Sequence, residues 1–152
     1  MTTTLFPSTE APSTTVDTNA EAPALWKTGA KAGVIAAVAT SAIAALAVAL
    51  DVPVEIAGEA IPVLGFAQMT LLCTVLGVLI AKGARRWASS ARTAFVRTTV
   101  ALTALSFVPD LTADATSATK VTLMLTHLVA AAIVTPVITR RLPESAQSSI
   151  AA

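Results

Sequence analysis

Apolar residues fall into four long runs separated by short polar breaks: Gly29 to Leu50, Ile61 to Ala81, Thr93 to Val108 and Ala118 to Ile138. A helix needs about 20 residues to cross a hydrocarbon core about 30 Å thick, so each run predicts one transmembrane helix. The third run is the shortest and most polar, with Thr98, Thr99, Thr103 and Ser106 inside it. Ser and Thr hydroxyls can return their hydrogen bonds to their own helix, and an odd number of spans would strand one basic loop on the wrong side. The pattern therefore predicts an all-α fold, an integral membrane four-helix bundle over residues 25–142. Residues 1–24 contain no Lys or Arg, and half of them are Thr, Ser or Pro; such a segment cannot bury a core and predicts a disordered N-terminal tail. Residues 143–152 form a short C-terminal tail.

Composition agrees with a bilayer environment. Of 152 residues 55% are hydrophobic and 12% charged, with a mean hydropathy of +0.75, whereas about a quarter of the residues of a soluble domain carry charge. The net charge of +1 points to no nucleic-acid partner, and the placement of the charges matters more than their sum. Lys27, Lys31, Lys82, Arg85, Arg86, Arg92, Arg97, Arg140 and Arg141 all fall at one end of the predicted bundle. The opposite connections hold Asp51, Glu55, Glu59, Asp110 and Asp114, with Lys120 as the one cation nearby. The positive-inside rule then makes both termini cytoplasmic in a multi-pass protein of the cell membrane. Trp26 and Trp87 sit beside the cytoplasmic cations, where amphipathic rings anchor at headgroup level.

The candidate chemistry is sparse. One cysteine and one histidine exclude disulfide frameworks and zinc fingers, no predicted span contains a carboxylate, and no metal or cofactor is expected. Cys73, mid-helix beside Thr70 and Thr74, has nothing to make it a nucleophile. The chain has no GxSxG, HExxH or Gly-rich phosphate loop, so it reads as no enzyme. His127 lies near the centre of the fourth span, a depth at which ionisable groups are expensive and by default suggest function. Helical spacing places Thr116, Lys120, His127, Ala131 and Thr135 on one face. The intramembrane polar site is thus His127, Lys120 and Gln68, with a neutral imidazole bonded to Gln68 or Thr103 of another helix. Lys120 is expected to form an outer-turn ion pair with Asp110 or Asp114, Pro109-Asp110 ending the third helix and cap-like Ser117 and Thr119 opening the fourth. In the first helix, Gly29, Gly33, Ala37, Ser41, Ala45 and Ala49 form one ridge of small residues, and Ala32, Ala36, Thr40 and Ala44 a second. Small-xxx-small spacing lets backbones approach closely, here within the bundle rather than across a dimer face.

These residues give two functional readings. The first is a small structural or accessory membrane subunit, whose partners are the lipid bilayer and a membrane protein or second copy of itself. The alternative is a small carrier or proton-coupled pathway using His127 and Lys120. From Trp26-Lys27-x-Gly29, through Asp51-Val52-Pro53, to Thr122-Leu123-Met124-Leu125-Thr126-His127-Leu128-Val129-Ala130 and Pro136 before Arg140-Arg141, the chain resembles a family of small four-span actinobacterial membrane proteins classed as a domain of unknown function. The resemblance covers about residues 25–142. It implies a compact four-helix bundle in the cell membrane and brings no activity, substrate or catalytic residue.

Overall fold

The apolar runs become four helices in a computed structural model that describes residues 18–143: α1 (Thr18–Ala49), α2 (Val63–Trp87), α3 (Ala91–Thr112) and α4 (Ser117–Thr139). All four are long and apolar enough to cross a membrane. α1 begins at Thr18, inside the stretch expected to be tail, because Ala20, Glu21, Ala22 and Ala24 are strong helix formers; the rest of that tail and residues 144–152 lie outside the described residues. α3 also runs further than its apolar run suggests. Pro109 removes one N–H from the ladder, but only near the end of the helix: Ala113 N–H still reaches the Pro109 carbonyl at 2.8 Å, and the Thr112 hydroxyl bonds the Val108 carbonyl at 2.9 Å. A proline there does not stop the helix, and Asp110 becomes a helical residue.

Neighbours in sequence are neighbours in space, up and down around a square, with α1 between α2 and α4, and α3 closing the ring on the far diagonal. α1 and α2 run antiparallel and very close. A Cβ at Gly29 would stand 2.3 Å from Val78 Cγ2, and one at Gly33 2.8 Å from Thr74 Cγ2, so only glycine permits this approach. Further along the seam the Thr40 hydroxyl donates to the Ala37 carbonyl at 3.1 Å, which leaves the Thr70 hydroxyl to donate across to Thr40 at 2.9 Å. The buried face of α1 is Leu25, Gly29, Ala32, Gly33, Ala36, Ala37, Thr40, Ala44 and Ala47. It follows the second small-residue ridge throughout and leaves the first beyond Ala37, since a strict four-residue step drifts around a helix of 3.6 residues per turn.

Two apolar clusters hold the ends. At the basic end Leu25, Val78, Ala81, Phe95, Ile138 and Leu142 bring in all four helices. At the acidic end Ala44, Ala47, Val54, Phe66 and Leu123 draw on α1, α2, α4 and the connection after α1. That connection is ordered by backbone chemistry. Asp51 adopts φ 57°, and Val52 N–H bonds the Ala47 carbonyl while Asp51 N–H bonds that of Val48, a Schellman closure of α1. A two-strand hairpin follows, β1 (Glu55–Ile56) and β2 (Glu59–Ala60), turning through Ala57 and Gly58, both at positive φ as a type I′ turn needs. Ala57 N–H reaches the Asp114 carbonyl at 2.8 Å, and the Thr119 hydroxyl bonds the Pro53 carbonyl. The two acidic-end connections are therefore tied together.

Candidate intramembrane site

On α3 the inward stripe runs Phe95, Thr99, Thr103, Ser106, Asp110, a spacing of three or four residues that keeps one face of a helix in line. Asp110 ends that stripe and is 7% exposed. On α4, helical side chains lean toward the N-terminus, which carries the His127 ring back along its own helix. Its Nδ1 lies 3.0 Å from the Leu123 carbonyl oxygen and also 3.0 Å from Asp110 Oδ2. Both neighbours are acceptors, so Nδ1 carries the proton. One N–H cannot point along two lines. It is aligned with the Leu123 carbonyl, and Asp110 Oδ2 stays buried beside it without a hydrogen bond of its own. The contact between α3 and α4 at this point is therefore a close polar approach with one proton between two oxygens.

Below this pair α2, α3 and α4 part to leave a cavity of about 220 Å³. Gly77, Ile80, Phe95, Leu102, Ala131 and Val134 supply much of its apolar wall, and His127 lines it as well. Three of the six hydroxyls on the wall are occupied within their own helices: Thr74 bonds the Thr70 carbonyl at 2.8 Å, Thr99 that of Phe95 at 2.9 Å and Ser106 that of Thr103 at 2.7 Å, while Thr70 bonds Thr40 of α1. The cavity is apolar in effect, with one imidazole edge.

The structure rearranges the expected site. Lys120 does not pair with Asp110 or Asp114; its Nζ donates to the Leu111 carbonyl at 3.0 Å. The reason is the extra length of α3. Its last carbonyls lack helical partners and carry the negative end of the helix dipole, a natural place for an ammonium, while the Asp110 side chain is turned inward to His127. Asp114 is exposed and contributes its backbone carbonyl to the hairpin. Gln68 is exposed and does not meet His127, and Thr103 shares the cavity wall without being the imidazole's partner. The expectation that no carboxylate enters a span fails at Asp110. The cap of α4 is Thr116, whose hydroxyl accepts from Thr119 N–H at 3.2 Å, in place of Ser117 or Thr119. Cys73 lines the cavity as a free thiol. Among the described residues no three His, Cys, Asp or Glu side chains gather as metal ligands would.

Asp110 is named by the sequence as an outer-turn partner of Lys120, and what that reading misses is its place inside α3 facing His127. The signal was available in the α3 stripe, since the three-and-four spacing that aligns Thr99, Thr103 and Ser106 continues to it once Pro109 is allowed inside the helix.

The profile of one protein family matches residues 20–144, a family of unknown function (DUF6069). Comparison with curated proteins and with solved structures finds no match.

Proposed function

The chain belongs to that family of unknown function, and from this premise we propose that it is a non-enzymatic accessory subunit of the cell membrane, with both termini cytoplasmic. The observation that carries the reading is how the polar groups inside the spans are used. Thr40 and Thr70 join α1 to α2, His127 and Asp110 meet between α3 and α4, and Thr74, Thr99, Ser106, Thr122, Thr126 and Thr139 return their hydroxyls to their own helices, with Ser41 Oγ and Asp110 Oδ2 buried without a hydrogen bond. Groups committed to fastening a bundle leave little for chemistry along a path. The cations of α1, α2, α3 and the end of α4 share one end of the bundle, which supports a cytoplasmic placement of that end. Reporter fusions after Glu55 and Ala113 are expected to read outside, and those after Ser89 and at Ala152 inside.

A second reading, a small carrier or proton-coupled pathway, draws on Asp110 Oδ2, buried without a hydrogen bond 3.0 Å from His127 Nδ1; in it Asp110 takes the place of Lys120. Liposome reconstitution with an internal pH dye separates the two. The accessory reading expects no acidification above that of empty vesicles, and co-purification in mild detergent with one membrane protein at fixed stoichiometry. Proton flux that vanishes in His127→Gln would establish the pathway instead.

A further inference from the structure

We propose that the cavity between α2, α3 and α4 binds a membrane-dissolved hydroxyl compound, an apolar molecule whose single O–H donates to Nε2 of His127. The inference goes beyond the accessory reading and does not depend on it. It begins with the two oxygens around Nδ1. The Leu123 carbonyl and the Asp110 carboxylate each lie 3.0 Å away, so the proton of a neutral ring sits on Nδ1 and Nε2 carries the lone pair. The ring edge that Leu123 and Asp110 leave free is thus an acceptor, and its complement is a donor. A carbonyl compound or an ether presents none.

The rest of the guest follows from the wall. Small-molecule sites are mostly apolar with a few placed polar groups, and this cavity of about 220 Å³ has that character. Four of its six hydroxyls already donate to a partner, Thr74, Thr99 and Ser106 to backbone carbonyls and Thr70 to Thr40, which leaves the imidazole nitrogen as the strongest acceptor on the wall. α3, which forms one side, has the least buried span of the four, and the cavity lies within the spans; the guest arrives from the bilayer. Gly77 stands where a Cβ would find no atom within 4 Å, open space at the wall that a larger side chain can fill without displacing the fold.

The test uses the full-length protein in nanodiscs and two probes of nearly equal shape, para-hexylphenol and its methyl ether. Because the chain has one histidine, nitrogen-labelled histidine gives a single imidazole to follow by NMR. The phenol is expected to move the Nε2 resonance saturably and to bind about tenfold more tightly than the ether, the worth of one hydrogen bond. Gly77→Leu should abolish saturable binding while the protein stays folded, and His127→Leu should bind both probes equally. Equal binding of the two probes by the unmodified protein, or phenol binding that persists in Gly77→Leu, would overturn the proposal. Either result leaves the flux and co-purification experiments untouched.

Discussion

α1 and α3 stand on opposite corners of the bundle and are held there by different physics. Within an apolar stretch of 18 residues in each, 39% of α1 is buried and 11% of α3. α1 is retained by shape. Gly29 and Gly33 bring its backbone against Val78 and Thr74, and the alanines that follow keep that distance along most of the helix. α3 is retained at two points, Phe95 in the basic-end cluster at 0% exposure and Asp110 against His127 toward the other end; the acidic-end cluster contains no residue of α3. Lipid offers apolar surface as readily as another helix does, so association in a bilayer comes from close packing and from polar contacts rather than from hydrophobicity. α1 relies mainly on the first, with the Thr40–Thr70 hydrogen bond added along its seam, and α3 combines the packing of Phe95 with one polar approach. Between the two fixed points of α3 lies the cavity, and the continuous seam of α1 has no counterpart to it on the α3 side.

The largest loss is expected at α1. Gly29→Leu puts a side chain where Val78 already stands, and a shift of the two backbones is the only relief. The expected cost is at or above about 3 kcal/mol, read as loss of folded monomer by size exclusion and a lowered melting temperature in detergent. A Leu variant that melts like the parent would mean that α1 and α2 are further apart than the glycines imply. Phe95→Ala comes next, at about 3 kcal/mol or somewhat less, because lipid can enter part of the space that the ring leaves. It should loosen the basic end of α3 alone. Hydrogen exchange accelerating in residues 91–100 while α1 stays protected is the expected pattern, and equal acceleration in both helices would contradict the division.

A smaller effect is expected at the other fixed point of α3. A double-mutant cycle of Asp110→Asn and His127→Gln should return a coupling of about 1 kcal/mol, the range of polar contacts between membrane helices. Additive losses would show that each side chain serves its own helix only. The smallest change is expected from Lys120→Met, within about 0.5 kcal/mol, since it removes one bond to a terminal carbonyl and strands no carboxylate. A thermal shift of several degrees on that substitution would restore an ion pair that the geometry of α3 does not contain.

Much of the architecture is readable from the chain because it depends on local sums. Hydropathy accumulated over about 20 residues decides whether a segment crosses a bilayer, and that sum needs no knowledge of neighbours. The same holds for the ends, where charge type alone sorts nine cations from the acidic connections. Even the close seam of α1 is announced by its run of small residues, because large side chains would hold the backbones apart. The candidate site resisted the same treatment. Whether Pro109 ends α3 depends on whether the next turn finds partners for its N–H groups, and with the wrong boundary Asp110 appears as a loop residue beside Lys120.

The four spans, their charge-sorted ends, the small-residue seam and an inward-facing His127 are all written in the order of residues along the chain. Helix packing alone selects which ridge of α1 stays buried, brings Asp110 rather than Gln68 or Lys120 to His127, and parts α2, α3 and α4 around a cavity. The physical reason is that spans are selected one at a time by transfer into lipid. Partners are selected by the vertical register and rotation of two helices at once, and a shift of one residue, 1.5 Å along and about 100° around the axis, is enough to exchange one partner for another.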